Sequence, residues 1–372
     1  MISPPFQRRA PGAGARTAPA SSTYPELSAP VIDRFLAELP SLHVLVAGDF
    51  MLDEYLFGRV ERISPEAPVP VLNVEEHEHR LGGAANVVAN LRSIGCRVTA
   101  AGQIGDDSGG EILRRLLGLI SVADSLLITA TDHPTTHKVR LVAQNHQLLR
   151  FDRESLAPIS SVAEHLIWEG IERSWLDYRG VALSDYGKGT LTEDLLRRIV
   201  NQAANTGIPV LVDPKGSEFQ KYRGASILTP NEYEARAAAK TTIRSDTDLG
   251  DFAKFMLREL KLEAFCITRG KKGALLTLAD GSCRDFPAAP IEVYDVTGAG
   301  DTFISLLTVA RASGLPWVEA VPIANQAAAI VVEKPGTAVV SADELRRSLC
   351  GGCMNYQTSG WKSHYLPDEG MA

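Results

Sequence analysis

Basic charge is in short supply in this sequence. Its 38 Lys and Arg residues are outnumbered by 45 Asp and Glu residues, which leaves a net charge of −7. Nucleic-acid-binding domains generally need a basic face, so the composition disfavours that class of protein. No apolar run approaches the roughly 20 residues that a membrane-spanning helix needs, so the sequence does not predict an integral membrane protein.

Cysteine is also scarce and irregularly spaced. The five cysteines are an odd number, and this usage is typical of reduced thiols in a cytoplasmic protein. Cys350 and Cys353 form one C-G-G-C pair, without a second pair or a histidine cluster beside it. A single pair of this kind does not establish a zinc or redox site.

The two ends of the 372-residue chain differ in composition from the rest. Residues 1–40 begin with a stretch rich in Pro, Ala, Gly and Ser and lack the apolar core of a secretory signal. An acid-poor, arginine-containing start can mimic an organelle transit peptide, but we favour a disordered extension. Residues 350–372 lack periodicity and are predicted to pack loosely. The folded domain is expected to span residues 41–349.

Short apolar runs that end in small or polar residues recur along this region, separated by amphipathic helical stretches. The pattern predicts strands within 42–49, 180–185, 208–216, 225–231 and 263–270. Repeated strand–helix units predict an α/β fold with a doubly wound, mainly parallel sheet and helices on both faces. The ligand site of such a sheet lies beyond the carboxyl ends of its strands. The residues expected there are Asp49, Asp53, Asp185, Asp213, Lys215, Asn231 and Arg269.

Residues 55–83 break this alternation. They contain Pro65, Pro68 and Pro70, followed by VLNVEEHEH, and show no helical period. We interpret the segment as short β-strands outside the main sheet that form a flap; a proline-rich surface loop is the alternative. A flap of this kind excludes water from a phosphate-transferring site. Its exposed apolar residues could also pair with a second chain, which would make the flap a dimer contact.

The segment DVTGAGD (295–301) places three small residues between two acids, directly before the apolar run FISLLTVA. Glycines at a helix start let backbone N–H groups approach an anion, and the helix dipole favours negative charge there. Asp301 alone would repel a phosphate. The arrangement suits catalysis if Asp301 takes a proton from an attacking hydroxyl while the amides of residues 298–301 hold the charge of the transferred phosphoryl group. A tight turn with a capping aspartate is the alternative.

Three motifs together resemble the ribokinase-type (phosphofructokinase B) family of carbohydrate kinases. They are LGGAANVVANLRSIG (81–95), LTPNEYEA (228–235) and DVTGAGDTF (295–303), and the resemblance spans roughly residues 42–345. Further segments are similar to the bacterial D-glycero-β-D-manno-heptose 7-phosphate kinases: GDFMLDEY (48–55), RISPEAPVPVL (62–72), KVRLVAQNHQLLRFD (138–152), LSDYGKG (183–189) and VDPKG (212–216). In some bacteria that kinase is fused to an adenylyltransferase. No nucleotidyl-transferase motif follows here, so a stand-alone kinase is expected.

The resemblance implies a role for each matching residue. Asp301 matches the catalytic base, and the anion hole matches Gly298, Ala299 and Gly300. The sugar side is expected to comprise Asp49, Asp53, Gly82, Gly83 and Asn86. Asn231 and Glu234 match the motif that organises magnesium through water, and Asp295 matches a position near a monovalent cation. The ATP phosphates are expected beside Thr268, Arg269 and Gly270, and the adenine near Asn325. Ser305 departs from the family pattern, where many relatives have glycine.

A phosphorylated sugar needs positive charge beside the sugar site. The candidates on the substrate side are Lys138, Arg140, Arg150, Lys188 and Lys215, together with the acid Asp185. Lys188 and Lys215 follow apolar strands most closely, but any of these cations could instead serve ATP or the surface. The isolated histidines show no metal-ligand spacing, with the exception of His77 and His79 in the flap.

The resemblance implies an enzyme that uses ATP and Mg²⁺, with K⁺ as a further candidate cofactor. It would phosphorylate the anomeric hydroxyl of D-glycero-β-D-manno-heptose 7-phosphate to the 1,7-bisphosphate, in synthesis of the lipopolysaccharide inner core. The expected assembly is a cytoplasmic homodimer joined through the flap, without nucleic-acid or membrane partners. The alternatives are a kinase for another sugar or sugar phosphate and a non-catalytic nucleotide sensor. A Rossmann oxidoreductase is disfavoured because no G-x-G-x-x-G follows the first strand.

Overall fold

The computed structural model describes residues 27–350, except 123–125, 145, 240–242, 290, 292 and 335. The helices are α1 (Ala29–Glu38), α2 (Ala84–Ser93), α3 (Ser108–Leu119), α4 (Ser161–Arg173), α5 (Glu193–Thr206), α6 (Glu232–Ala238), α7 (Asp246–Leu260), α8 (Ala299–Ala312), α9 (Trp317–Val332) and α10 (Ala342–Leu349). Among the described residues, no helix has the length and apolar character to cross a bilayer.

The strands follow the same chain order. They are β1 (His43–Gly48), β2 (Phe50–Ile63), β3 (Pro70–Gly83), β4 (Arg97–Gly105), β5 (Leu126–Ala130), β6 (Thr136–Ala143), β7 (His146–Arg153), β8 (Gly180–Ser184), β9 (Val210–Asp213), β10 (Ile227–Leu228), β11 (Ala264–Thr268), β12 (Ala274–Leu278) and β13 (Cys283–Phe286).

A nine-stranded sheet forms the centre of the molecule, in the order β13-β12-β11-β10-β9-β8-β1-β4-β5. The strands from β11 to β5 run parallel, and β12 and β13 are antiparallel at one edge. Side chains of β1 alternate between two cores: Val44 and Val46 pack on one face, Leu45 and Ala47 on the other. This burial on both faces confirms the predicted doubly wound sheet, and all five predicted strands are present.

Helix α5 shows why these units start and stop where the sequence indicates. The Thr192 hydroxyl accepts a hydrogen bond from the amide of Leu195 at the start of the helix. At the other end Gly207 adopts φ +71°, and its amide bonds to the Ala203 carbonyl. Glycine adopts this left-handed conformation without the steric penalty of a side chain, so the helix ends there.

The flap is a second sheet of four strands in the order β3-β2-β6-β7. Strands β2 and β3 are the strands predicted outside the main sheet. The sequence did not predict that β6 and β7 complete the flap, with β6 parallel to β2 and β7 antiparallel to β6. The flap therefore draws on two separate parts of the chain.

The folded part of the chain begins earlier than predicted. Helix α1 starts at Ala29, and two of its side chains, Ile32 and Phe35, are buried in the core. The boundary placed at residue 40 is therefore wrong, because residues 29–38 bury an apolar face. Residues 1–26 and 351–372, which hold the rest of the predicted extension and nearly all of the tail, lie outside the described residues, as does Cys353.

Candidate active site

The first turn of α8 holds a carboxylate beside backbone amides. Gly298 precedes the helix with φ +81°, and a Cβ there would lie 2.8 Å from the side-chain nitrogen of Asn86, so only glycine fits. No side chain caps this end. The amides of Gly300 and Asp301 have no earlier helical turn to bond to. The amide of Ala299, predicted in the anion hole, instead donates to the Val296 carbonyl at 3.3 Å. Fewer amides than predicted are therefore available to an anion.

Asp301 is held by two donors in a buried environment, with 3% of its surface exposed. The Asn86 side-chain amide donates to Oδ2 at 2.8 Å, and the Tyr186 hydroxyl donates to Oδ1 at 2.8 Å. Burial raises the pKa of Asp301 to about 6, although both hydrogen bonds favour the ionised form. The carboxylate is therefore ionised near neutral pH and remains basic enough to accept a proton.

A buried polar network behind Asn86 fixes the position of this donor. The Asn90 side-chain amide donates to the Asn86 carbonyl at 3.0 Å, and the Thr302 hydroxyl donates to Asn90 Oδ1 at 3.0 Å. Ser305, the departure from the family pattern, donates to the Asp301 and Val87 carbonyls. These bonds join α2 to α8, so Ser305 contributes to helix packing next to the base.

The flap brings Asp53 and Lys138 close enough to Asp301 for both charges to act on its carboxylate. Arg140 Nη1 lies 2.7 Å from Asp53 Oδ1. A Cβ at Gly82 would lie 2.7 Å from Asp53 Oδ2, so a larger residue there would displace the Asp53 carboxylate. Lys138 Nζ lies 3.1 Å from the Met51 sulfur and 5.3 Å from the centre of the Tyr186 ring. Burial lowers the pKa of Lys138, while neighbouring Asp53 acts in the opposite direction.

Two other predicted sugar-side acids are engaged with the protein itself. Asp49 accepts the backbone amides of Tyr186, Lys188 and Thr190 at 2.8–3.1 Å. Asp185 accepts hydrogen bonds from Lys221, the Tyr222 hydroxyl and the Gly187 amide. Both acids therefore shape the loop after β8, which carries Tyr186, and their sugar-binding roles remain predictions. Gly83 caps the N-terminus of α2.

A cleft of about 1010 Å³ opens beside the first turn of α8. Its lining includes several residues predicted on the nucleotide side, namely Asn231, Glu234, Thr268, Gly270 and Asn325. Lys215 was predicted on the sugar side. The structure places it in this cleft, where Nζ lies 3.3 Å from Glu234 Oε1.

Arg269 does not point its guanidinium at this cleft. Its side chain is 1% exposed and pairs with Asp285 and, at 3.4 Å, with Asp246. These acids already pair with its charge, and the place of Arg269 beside the ATP phosphates stays a prediction. Asn325 lies in the wall of the cleft, and its side-chain amide donates a hydrogen bond of 2.9 Å to the Pro287 carbonyl.

Asn231 and Glu234 form a reciprocal cap at the start of α6. Asn231 Oδ1 accepts the Glu234 amide at 2.8 Å, and Glu234 Oε2 accepts the Asn231 amide at 3.1 Å. Nearby, burial raises the pKa of Asp213 well above its ordinary value, and the charges of Asp301 and Glu234 add to the effect. Mg²⁺ prefers oxygen ligands, and a bound cation would offset the repulsion between these carboxylates, so these residues fit that ion.

Asp295 lies at the other end of the glycine turn. Its Oδ1 accepts the amide and hydroxyl of Thr297, and its Oδ2 accepts the Gly336 amide at 3.0 Å. Burial acts to raise the pKa of Asp295, but these hydrogen bonds outweigh it and the pKa is lowered. The hydroxyl of Thr337, the next residue after Gly336, is buried without a hydrogen-bond partner among the described residues. An ionised acid near this oxygen fits the predicted monovalent cation.

Comparison with known proteins agrees with the fold and the motifs. The model of the pfkB family carbohydrate kinases matches residues 41–344. The chain belongs to this family. It is therefore an ATP-dependent carbohydrate kinase.

Two curated relatives are both named bifunctional protein HldE. The chain is 42% identical over 327 residues to that of Syntrophotalea carbinolica, covering 88% of this chain and 67% of the relative. It is 43% identical over 341 residues to that of Geobacter metallireducens, covering 92% and 69%. The chain thus spans about two thirds of the length of these relatives.

Two solved structures share the fold of this kinase. Phosphofructokinase-2 from Escherichia coli, in complex with potassium, aligns with a TM-score of 0.68 at 21% identity and covers 83% of this chain and 98% of its own. Ribokinase from Arabidopsis thaliana, complexed with ribose and ATP, aligns with a TM-score of 0.65 at 19% identity and covers the same shares.

Of the residues that hold the base in place, the sequence predicts Asn86 as a site residue but not Tyr186, Asn90 or Thr302. Tyr186 stands directly after a predicted strand at the ligand edge, and this position is the signal that could have identified it. Asn90 and Thr302 carry no such signal, because their importance arises only when α2 packs against α8.

Proposed function

We propose that this kinase transfers the γ-phosphoryl group of ATP to the anomeric hydroxyl of D-glycero-β-D-manno-heptose 7-phosphate, in synthesis of the lipopolysaccharide inner core. The observation that carries the proposal is the buried Asp301, held by Asn86 and Tyr186 at a helix start and close enough to Lys138 of the flap for that charge to act on it. The motifs shared with heptose 7-phosphate kinases and the HldE relatives support the choice of sugar.

The residues of this chain account for the proton and the charge in the transfer. A carboxylate oxygen of Asp301 accepts the proton of the anomeric hydroxyl while the oxygen of that hydroxyl forms a bond to the γ-phosphorus. The bond between this phosphorus and the β–γ bridging oxygen breaks, and ADP leaves. The amides of Gly300 and Asp301, with the positive end of the α8 dipole, stabilise the charge on the transferred group. The flap excludes water that would otherwise compete with the sugar.

Lys138 is the cation best placed for the 7-phosphate. The other candidates are already paired: Arg140 with Asp53, Lys188 with Glu154, Lys215 with Glu234 and Arg150 with Asp152. Lys138 makes no ion pair within the described part of the chain; its ammonium contacts a thioether and an aromatic face. A phosphate dianion near Asp53 needs such a compensating charge.

Asp213, Asn231 and Glu234 would hold Mg²⁺, directly or through water, and Asp295 with Thr337 would hold K⁺. When bound, Mg²⁺ neutralises charge on the ATP phosphates. The raised pKa of Asp213 supports the first assignment, and the unpaired Thr337 hydroxyl supports the second.

The flap also supports the proposed homodimer. Its strands and the turn at their end expose large apolar side chains, with exposed fractions of 41–60%: Ile63, Val69, Val74, Leu148, Leu149 and Phe151. Apolar residues gathered on one exposed sheet are typical of an interface with another chain.

The substrate proposal is tested by measuring kcat/KM for ADP release against a panel of sugars. The panel contains D-glycero-D-manno-heptose 7-phosphate, the same heptose without phosphate, ribose and fructose 6-phosphate. We expect the heptose 7-phosphate to exceed every other sugar by at least about 100-fold, since charge-assisted hydrogen bonds to the phosphate contribute roughly 1.5–3 kcal/mol each. A higher value for another sugar would replace the heptose with that sugar while leaving the kinase assignment intact.

A further inference from the structure

Three metal-ligating side chains meet on the face of the flap that points away from Asp53. Strand alternation places Glu54 on the face opposite Asp53. The antiparallel register sets His79 directly across from Glu54 and His77 across from the next residue on that face, Leu56. Cross-strand partners share a face, so two strands bring these three residues together. This face takes no part in the kinase chemistry described above.

The donor atoms of this cluster have the spacing of a metal site. The distances from the Glu54 carboxylate oxygens are 2.8 Å to His77 Nε2 and 3.8 Å to His79 Nε2. One donor atom from each of the three residues lies within 4.8 Å of the others. Tetrahedral Zn²⁺ with bonds of about 2.0–2.1 Å separates its ligands by about 3.4 Å. The observed distances bracket this value.

A second observation concerns His137 on the neighbouring strand β6. Its Nε2 lies 2.6 Å from the second oxygen of Glu54, yet the pair lacks hydrogen-bond geometry. The nitrogen is buried and has no hydrogen-bond partner in the described part of the flap or elsewhere in the described chain. The contact is a histidine–carboxylate approach at ion-pair distance, so a third imidazole lies beside the same carboxylate.

We propose that His77, His79 and Glu54 bind a divalent transition-metal ion, with Zn²⁺ as the best match. Two imidazoles and one carboxylate form a donor set that suits Zn²⁺. His137 lies against Glu54 Oε2, the oxygen that His79 also approaches, and is not assigned as a ligand. Between 11% and 39% of each of the three side chains is exposed to solvent, so the ion can reach them from solution. The ion links β2 to β3 across the register that pairs Glu54 with His79.

The test uses full-length protein without a histidine tag, stripped with a chelator and kept reduced. Zn²⁺ is titrated in competition with a chromophoric chelator, in excess Mg²⁺. We expect one Zn²⁺ per chain, and we expect His77→Gln, His79→Gln and Glu54→Gln each to weaken binding at least tenfold, because each removes one of three ligands. His165→Gln is the matched control: His165 faces Glu169 at 3.2 Å in an exposed pair far along the chain on α4, and its loss should leave binding unchanged.

X-ray absorption at the zinc edge separates this site from the cysteines. The proposal requires a first shell of nitrogen and oxygen with two imidazoles. A shell containing sulfur would assign the ion to cysteine instead and overturn the proposal. So would zinc binding that the three glutamine variants leave unchanged, or no binding at micromolar Zn²⁺, which would make the cluster a set of histidine–carboxylate ion pairs. His77 is the most exposed of the three, so its variant should fold normally, as far-UV circular dichroism can check.

Discussion

Replacing Tyr186 with phenylalanine should move the pH profile of this kinase and leave its fold intact. The change removes the hydroxyl that donates to Asp301 Oδ1 at 2.8 Å and nothing else. Burial and the charge of Asp301 raise the pKa of Tyr186 well above its ordinary value, so the phenol is a neutral donor throughout the working range. Donation to a carboxylate favours its ionised form, so losing the bond raises the pKa of Asp301 above its value of about 6.

The size of the shift follows from the strength of that bond. A hydrogen bond to a charged group contributes about 1.5–3 kcal/mol, and 1.36 kcal/mol corresponds to one pH unit, so the acid limb should move upward by about one unit or more. The base must be ionised to act, so the fold-loss in kcat/KM of Tyr186→Phe should be largest at the acid end of the profile, near pH 5, and should disappear as the plateau is approached at pH 8–9.

The assay is kcat/KM from pH 5 to 9, with saturating ATP and coupled detection of ADP. Tyr222→Phe is the matched control, since it removes a phenol that donates to a different carboxylate, Asp185, at 2.7 Å. Its acid limb should coincide with that of the wild type. A folded Tyr186→Phe enzyme with an unshifted limb would show that this bond does not set the pKa of the base.

Three further predictions follow from the same site. Asp301→Asn should lower turnover by roughly 10²–10⁴. Because burial raises the pKa of this carboxyl from 3.8 to about 6, the same variant should raise the free energy of unfolding by about 3 kcal/mol at pH 8 and leave it unchanged below about pH 4. Chemical denaturation measures this difference, and the reverse trend would contradict the assigned burial. Lys138→Ala should reduce kcat/KM for the heptose 7-phosphate at least tenfold more than for the unphosphorylated heptose, whereas Arg150→Ala, which removes an exposed cation paired with Asp152, should not; equal losses on both sugars would reassign Lys138. If the proposed homodimer forms, Phe151→Asp should convert it to a monomer in light scattering at micromolar concentration, and a wild type that is already monomeric would exclude the flap interface.

The sequence predicted the parts of this molecule that depend on local pattern. The strands before Asp49, Asp185 and Asp213 are short apolar runs with clear ends, and their shared ligand edge follows from parallel pairing alone. The glycine turn before Asp301 has few conformations open to it, which is why its placement at a helix start was predictable.

The rest depends on contacts between distant segments. Strands β6 and β7 join the flap through pairing that no local signal specifies. Arg269 directly follows a strand, as Asp49 and Asp185 do, but its guanidinium pairs with Asp246 and Asp285 instead of lining the cleft. The approach of His79 to Glu54 depends on the register of two 14-residue strands, and that register is set by core burial rather than by spacing.

The proposed function depends on Asp301 accepting the proton of the anomeric hydroxyl of a phosphosugar. The most direct measurement is ³¹P NMR of the product formed from ATP and D-glycero-D-manno-heptose 7-phosphate by the wild type and by Asp301→Asn. We expect a new phosphorus resonance coupled to the anomeric proton, formed at least about 100-fold more slowly by the variant. A phosphate on another carbon, or equal rates for the two folded proteins, would contradict it.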